Sequence, residues 1–229
     1  YNTGSSSWLP PLFRALQSNN GLKELHIRGI HLIDEKLSTA MRLGLGNNST
    51  LEVLRFWRIT AHNDPSLWRE ALSFLRTNTG LETLDMYFEK NVKKSHATAI
   101  RMELTAALRD NESLEALCWA SDDARFEDFL EFVAAIHPNT TLKKLHFSRS
   151  FGNPNLYHPN DYRIKGLLSV VKKNYGLQDI SGLHGAEDIH SIFQLNRAGR
   201  RYLMEDGSSI AKGVGVLIGV SNNTNSVFL

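Results

Sequence analysis

Six times along the chain an Asn stands three residues before a Leu, in a frame that reads N-x-x-L-x-x-[LI]. The frame starts at Asn19, Asn48, Asn78, Asn111, Asn139 and Asn174. It opens the segments Leu22-x-x-Leu25-x-Ile27, Leu51-x-x-Leu54-x-Phe56, Leu81-x-x-Leu84-x-Met86, Leu114-x-x-Leu117-x-Trp119, Leu142-x-x-Leu145-x-Phe147 and Leu177-x-x-Ile180. Successive leading Leu residues lie 29, 30, 33, 28 and 35 residues apart. A period in this range marks a solenoid, in which each unit contacts only its neighbours.

A second rhythm runs in front of each Asn. Apolar residues stand seven, often six, and three positions before it: Leu12, Phe13 and Leu16; Met41 and Leu45; Ala71, Leu72 and Leu75; Leu104 and Leu108; Phe132, Val133 and Ile136; Leu167, Leu168 and Val171. Spacings of three and four place these on one stripe of a helix. The L-x-x-L-x-[LIF] segments end in the period of two that belongs to a strand. Each unit is therefore helix, Asn-bearing turn, strand, and stacking the units forms the core. At the helix C-terminus the Asn is expected to adopt the left-handed cap conformation, often beside Gly as in Asn20-Gly21 and Tyr175-Gly176.

These units resemble leucine-rich repeats of the ribonuclease-inhibitor-like class, over residues 9–183. The family's Asn follows the strand motif, whereas here it precedes it. The resemblance implies an α/β horseshoe with a concave parallel sheet, helices on the convex side and a protein partner on the concave face. Residues 195–203 (LNRAGRRYL) resemble a capping sequence of predicted algal and diatom repeat proteins.

Residues 1–8 read as a linker or frayed lead-in, and residues 184–229 as a helical C-terminal cap, truncated at its apolar end. In the cap, Ile189, Ile192, Phe193 and Leu195 mark one helix. A second apolar run, Ile210 to Val220, follows the N-cap signal of Ser208-Ser209. Both chain ends read as trimmed from something longer, which leaves a removed targeting segment open. Composition agrees with a soluble globular chain: it is 41% hydrophobic and 22% charged, and it has no run of about 18 apolar residues that would span a membrane. A net charge of +2 gives no basis for obligate nucleic-acid binding. The single cysteine, Cys118, excludes an internal disulfide framework and fits the cytoplasm or another reducing intracellular compartment.

Several local patterns suggest chemistry and lose to simpler readings. Gly213-x-Gly215-x-x-x-Gly219 lacks the spacing and the preceding strand of a dinucleotide loop. His184, Glu187, Asp188 and His190 spread around a helix rather than sharing the face a metal would need. Asn47, Asn48, Asn111, Asn139 and Asn222 fall in N-x-[ST] sequons, but three of them are the repeat Asn itself, a structural requirement.

Laying the strands side by side, about 4.8 Å apart, produces three rows facing away from the core. The first is Glu24, Val53, Thr83, Ala116, Lys144, Asp179; the second His26, Arg55, Asp85, Cys118, His146, Ser181; the third Arg28, Trp57, Tyr87, Ala120, Ser148, Leu183. Cys118 between Asp85 and His146 invites a thiolate mechanism. The order is wrong for a relay, a carboxylate beside a thiol raises its pKa, and no oxyanion hole is supplied.

Arg28, Arg55, Trp57, Asp85, Tyr87 and His26, with Lys144 and His146 further along, are the expected partner-binding residues, since large aromatics and arginines dominate binding hot spots. The simpler alternative is that the aromatic row stacks on itself. Residues 148–161 and 88–95 read as insertions on one rim. The expected function is a protein-binding scaffold or adaptor without cofactor, metal or chemistry of its own. The alternatives are an architectural subunit of a larger assembly and, less favoured, an accessory regulator of an enzyme such as a small GTPase.

Overall fold

The computed structural model describes residues 6–30, 34–60, 64–89, 92, 94–121, 126–147, 162–174, 176–181 and 187–197. Helix and strand alternate throughout: α1 Leu9–Leu16, β1 Glu24–Arg28, α2 Glu35–Gly46, β2 Val53–Ile59, α3 Pro65–Leu72, β3 Thr83–Phe88, α4 Lys94–Arg109, β4 Ala116–Ala120, α5 Phe126–Ala135, β5 Lys144–Phe147, α6 Tyr162–Val171, β6 Asp179–Ser181 and α7 Glu187–Arg197. The six strands form one sheet in sequence order. Every pair is parallel, as the intervening helices require.

The two rhythms of the sequence meet in one core. Leu54 and Phe56, Leu84 and Met86, Leu117 and Trp119 point from the sheet into a continuous apolar cluster. Phe13, Met41, Leu72, Leu104, Phe132 and Leu167 enter it from the helices. Gly44 lets α2 approach α1 closely: a Cβ there would stand 1.8 Å from the Phe13 carbonyl oxygen. Asp34 caps α2, its carboxylate accepting from the Leu37 N–H at 2.7 Å, and Asp64 caps α3 through the Ser66 N–H at 2.9 Å. Between helices, consecutive units are cross-linked by Arg42 with Glu70, Arg69 with Glu103, and the buried Arg101 with Asp128 and Glu131.

The turns correct one expectation. None of the six repeat Asn residues is left-handed; among the described residues only Arg58 and Gly29 have positive φ. Four of them, Asn48, Asn78, Asn111 and Asn139, each use the side chain in two directions. The Oδ1 accepts from the N–H groups two and three residues on, as Asn78 does from Gly80 (3.1 Å) and Leu81 (2.6 Å). The Nδ2 reaches back to main-chain carbonyls of the preceding unit: Asn48 donates to Leu16 and Asn19, Asn78 to Leu45 and Asn48, Asn111 to Leu75, and Asn139 to Leu108 and Asn111. One amide thus shapes its own turn and satisfies the orphan carbonyls at the end of the previous helix.

The position two residues after the Asn completes this ladder. Thr50, Ser113 and Thr141 donate their hydroxyls to the carbonyl of the preceding Asn. Gly80 instead presses so close to the preceding turn that a Cβ would meet the Ser49 carbonyl oxygen at 2.4 Å. The sequons at Asn48, Asn111 and Asn139 are therefore hydrogen-bonding pairs in buried turns, and their amides are not available for a glycan.

Other boundaries shift slightly. Ser6–Trp8 form a 3-10 turn leading into α1. Of the insertion read over 88–95, Phe88 ends β3 and is buried, Lys94 already starts α4, and Val92 is buried. The 148–161 insertion, the second apolar run of the cap and the glycines at 213–219 lie outside the described residues. No helix among the described residues is long and apolar enough to cross a membrane.

Candidate functional site on the open face of the sheet

The strand register places the three rows where side-by-side alignment puts them. Glu24, Val53, Thr83, Ala116, Lys144 and Asp179 are mutual neighbours, as are His26, Arg55, Asp85, Cys118, His146 and Ser181. In the third row Arg28, Trp57, Tyr87 and Ala120 are aligned, while Ser148 and Leu183 lie outside the described residues. Alternate strand residues are buried, so these rows form the face of the sheet opposite the core.

On β1 to β3 the rows condense into one cluster. Arg55 Nε donates to Asp85 Oδ2 at 2.9 Å, and its Nη1 donates to His26 Nε2 at 3.0 Å. Because a guanidinium can only donate, His26 Nε2 is the acceptor in that contact. Glu24 Oε2 stands 3.5 Å from the same nitrogen. His26, Arg55 and Asp85 lie on three neighbouring strands, and His26 and Asp85 hold the Arg55 fork in one orientation.

Above it, Trp57 lies flat on Tyr87, with ring centroids 3.8 Å apart and planes within 2°. The aromatic row does stack on itself, yet Trp57 stays 39% exposed. Arg28, exposed, is its neighbour on β1. The pair forms a flat apolar step beside an ordered guanidinium, the residue types that concentrate binding energy.

The bulge after Trp57 is a feature that alignment of the rows does not reveal. Arg58 has φ 59°, and the register slips there so that Ile59, not Arg58, pairs with Phe88. Ile59 and Phe88 return to the core while Arg58 turns outward to Glu89 Oε1 at 2.8 Å. The alternation of apolar residues in Phe56-Trp57-Arg58-Ile59 breaks at this point, which is its only trace in the sequence.

Cys118 occupies the bare β4 between the two halves of the face, and it is buried. Burial pushes its thiol up to about 11; a hydrogen bond with the Tyr87 hydroxyl acts the other way, and the Asp85 charge adds to the rise. Burial also raises Tyr87, and its bond with Cys118 raises it further. A thiol held neutral in this way is a poor nucleophile. Lys144 is exposed and His146 half-buried on β5, so β4 separates them from the aromatic cluster rather than the fold gathering all eight residues into one patch. No group of three or more His, Cys, Asp or Glu suited to a metal occurs among the described residues. Of the residues weighed for metal binding at the start of the cap, His184 lies outside them, and His190 is exposed on α7.

Asn196 is a second residue that the repeat frame overlooks. It lacks a following Leu three residues on, but Ile189 and Phe193 stand seven and three residues before it, as in the six units, and both are buried. Its Nδ2 donates to the carbonyls of Asn174 (3.0 Å) and Leu177. It adds one more step to the ladder.

No protein-family model matches the chain, and no curated protein matches it. Seventeen chains of solved structures are similar, two among them as follows. One is leiomodin-1 actin-binding site 2, with TM-score 0.40 and 13% identity, covering 86% of this chain and 93% of that one. The other is the tropomodulin C-terminal domain of Caenorhabditis elegans, with TM-score 0.39 and 12% identity, covering 88% of this chain and 98% of that one.

Proposed function

We propose that this chain is a leucine-rich-repeat domain of the ribonuclease-inhibitor-like class that binds a partner protein on the concave, open face of its sheet. The observation that carries this reading is the Trp57 and Tyr87 stack, exposed on that face beside Arg28 and the Arg55 fork. An aromatic pair already ordered by its own stacking and an arginine already ordered by Asp85 and His26 lose little side-chain entropy when a partner covers them. The domain acts by recognition alone and performs no chemistry; the buried, neutral Cys118 supports this.

The test is affinity purification with the wild-type chain beside a Trp57→Ala/Tyr87→Ala double variant, with thermal melting of both. The reading expects a partner retained by wild type and lost by the variant while the variant still melts cooperatively. A stoichiometric set of proteins retained equally by both would overturn it in favour of an architectural subunit. The feature that favours this second reading is Met102, 66% exposed on the outer surface of α4, where a neighbouring subunit would cover it.

A further inference from the structure

Arg55 and Glu24 meet at a single atom. His26 Nε2 lies 3.0 Å from Arg55 Nη1 and 3.5 Å from Glu24 Oε2. A ring nitrogen accepts a hydrogen bond when it is unprotonated and donates one when it is protonated, never both at once. Facing a guanidinium it must accept; facing a carboxylate it must donate. The two contacts therefore belong to different protonation states of the same nitrogen. The neutral ring takes the shorter contact and accepts from Arg55. The imidazolium has no lone pair left for Arg55, stands against a like charge, and has Glu24 already beside it.

The other charged groups around the ring do not compete for it. Arg28 follows on the same strand, Arg55 faces the ring from β2, and Asp85 lies beyond Arg55 on β3. Asp85 is engaged by Arg55 Nε at 2.9 Å, and Lys23 and Glu52 at the rim are engaged with each other. Val53 and Trp57, which flank Arg55 on β2, carry no charge. The helices pack against the opposite face of the sheet. The ring is half-exposed, so protons reach it directly.

We infer that His26 is a pH-driven switch on Arg55. With the ring neutral, Asp85 holds the guanidinium at Nε and His26 holds it at Nη1. At mildly acid pH, where histidine side chains change charge, the imidazolium passes to Glu24 and the guanidinium keeps Asp85 alone. One proton is taken up and one hydrogen bond is exchanged for another. Arg55 then regains a freedom that any partner must remove again, so acid weakens capture on the open face. That last consequence rests on the reading of this face as a binding surface. The switch itself does not, and it asks nothing of the edge of β1.

The test is nitrogen NMR on the isotope-labelled 229-residue chain without a partner, with the signals assigned from His26→Gln and Arg55→Met. At neutral pH His26 Nε2 should give the signal of an unprotonated acceptor. In Arg55→Met it should revert to a protonated Nε2, for which Glu24 is the acceptor. Rotation of the Arg55 guanidinium about Nε–Cζ exchanges its two Nη atoms and requires the His26 bond to open. It should quicken roughly two- to tenfold as the ring takes up its proton, the range that one hydrogen bond commands. His26→Gln, whose side chain does not titrate, should show no such step. On the acid side, exchange of the His26 ring N–H with water should be faster in Glu24→Gln than in wild type. A protonated Nε2 at neutral pH, or an Arg55 rotation that passes unchanged through His26 protonation, overturns the inference. Retention of a captured partner should fall on acidification for wild type and keep its neutral-pH level for His26→Gln. Equal falls in both would overturn the regulatory role and leave the binding reading standing.

Discussion

Asn48 donates from its side-chain amide to the main-chain carbonyl of Asn19, 29 residues earlier, at 2.9 Å. The bond explains why an uncharged polar residue recurs in the buried turns of the units that follow the first. Only an amide carries both the acceptor for two N–H groups ahead and the donor for two carbonyls behind. A carboxylate would repel the carbonyls, and a hydroxyl is too short to serve both directions.

Asn78→Ala removes four hydrogen bonds and leaves the Leu45 and Asn48 carbonyls and the Gly80 and Leu81 N–H groups without their partner. Unsatisfied buried groups cost roughly 1–3 kcal/mol each, with partial relief from water, so a loss of about 3–5 kcal/mol is expected in urea unfolding. Asn19→Ala, which removes only the forward bonds, should cost about 1 kcal/mol. Equal losses at the two positions would show that the backward bonds contribute nothing.

Gly44→Ala should destabilise the domain although it replaces a helix breaker with the best helix former. The propensity gain is about 1 kcal/mol. Against it, the new Cβ would lie 1.8 Å from the Phe13 carbonyl oxygen, which is main chain and cannot rotate away. Forcing α1 and α2 apart should leave a net loss of roughly 1–3 kcal/mol. A raised melting midpoint would mean that the two helices separate at no cost.

What could be read from the sequence divides along physical lines. The helices, the strand register and the residues of the three rows followed from periods of 3.6 and 2, because a buried face on each element leaves one register that hides every Leu. The role of Asn was misread: its position at a helix end fits both a left-handed cap and a side-chain turn, and only backbone angles separate them. Asn196 was legible from Ile189 and Phe193 but was masked by the absence of a Leu after it. The site was half legible. Adjacency of Trp57 and Tyr87 followed from register, whereas their flat stacking depends on side-chain torsions and on the bulge at Arg58. That Lys144 and His146 stand apart follows from the width of β4.

Alkaline pH should weaken the fold through Cys118. Its folded thiol, pushed up to about 11, keeps its proton where the unfolded thiol, with its ordinary value of 9.0, has lost it. The stabilisation is therefore complete below about pH 9 and is lost progressively as pH rises towards 11. Tyr87, also raised, acts in the same direction at higher pH. Melting midpoints measured from pH 8 to 11 should fall less steeply in Cys118→Ala than in wild type. Parallel curves would mean that the thiol ionises as freely in the folded chain as in the unfolded one.

The bulge at Arg58 supplies the sharpest test of how Trp57 is held. A side chain at φ 59° costs about 1–2 kcal/mol relative to Gly, and the ion pair to Glu89, exposed on the Arg58 side, returns about 0–1 kcal/mol. Arg58→Gly should therefore leave stability within about 1 kcal/mol of wild type, or slightly above it. Arg58→Val should lose about 2 kcal/mol, since a β-branched residue tolerates this conformation least. If Val is accepted without loss, the strand has abandoned the bulge. Ile59 would then leave the core and Trp57 would leave Tyr87, a change visible as altered tryptophan fluorescence in the folded state. Loss of stability with unchanged fluorescence in Arg58→Val would show that the strained turn is retained, and that it is the bulge, rather than the stacking alone, that sets Trp57 on the open face.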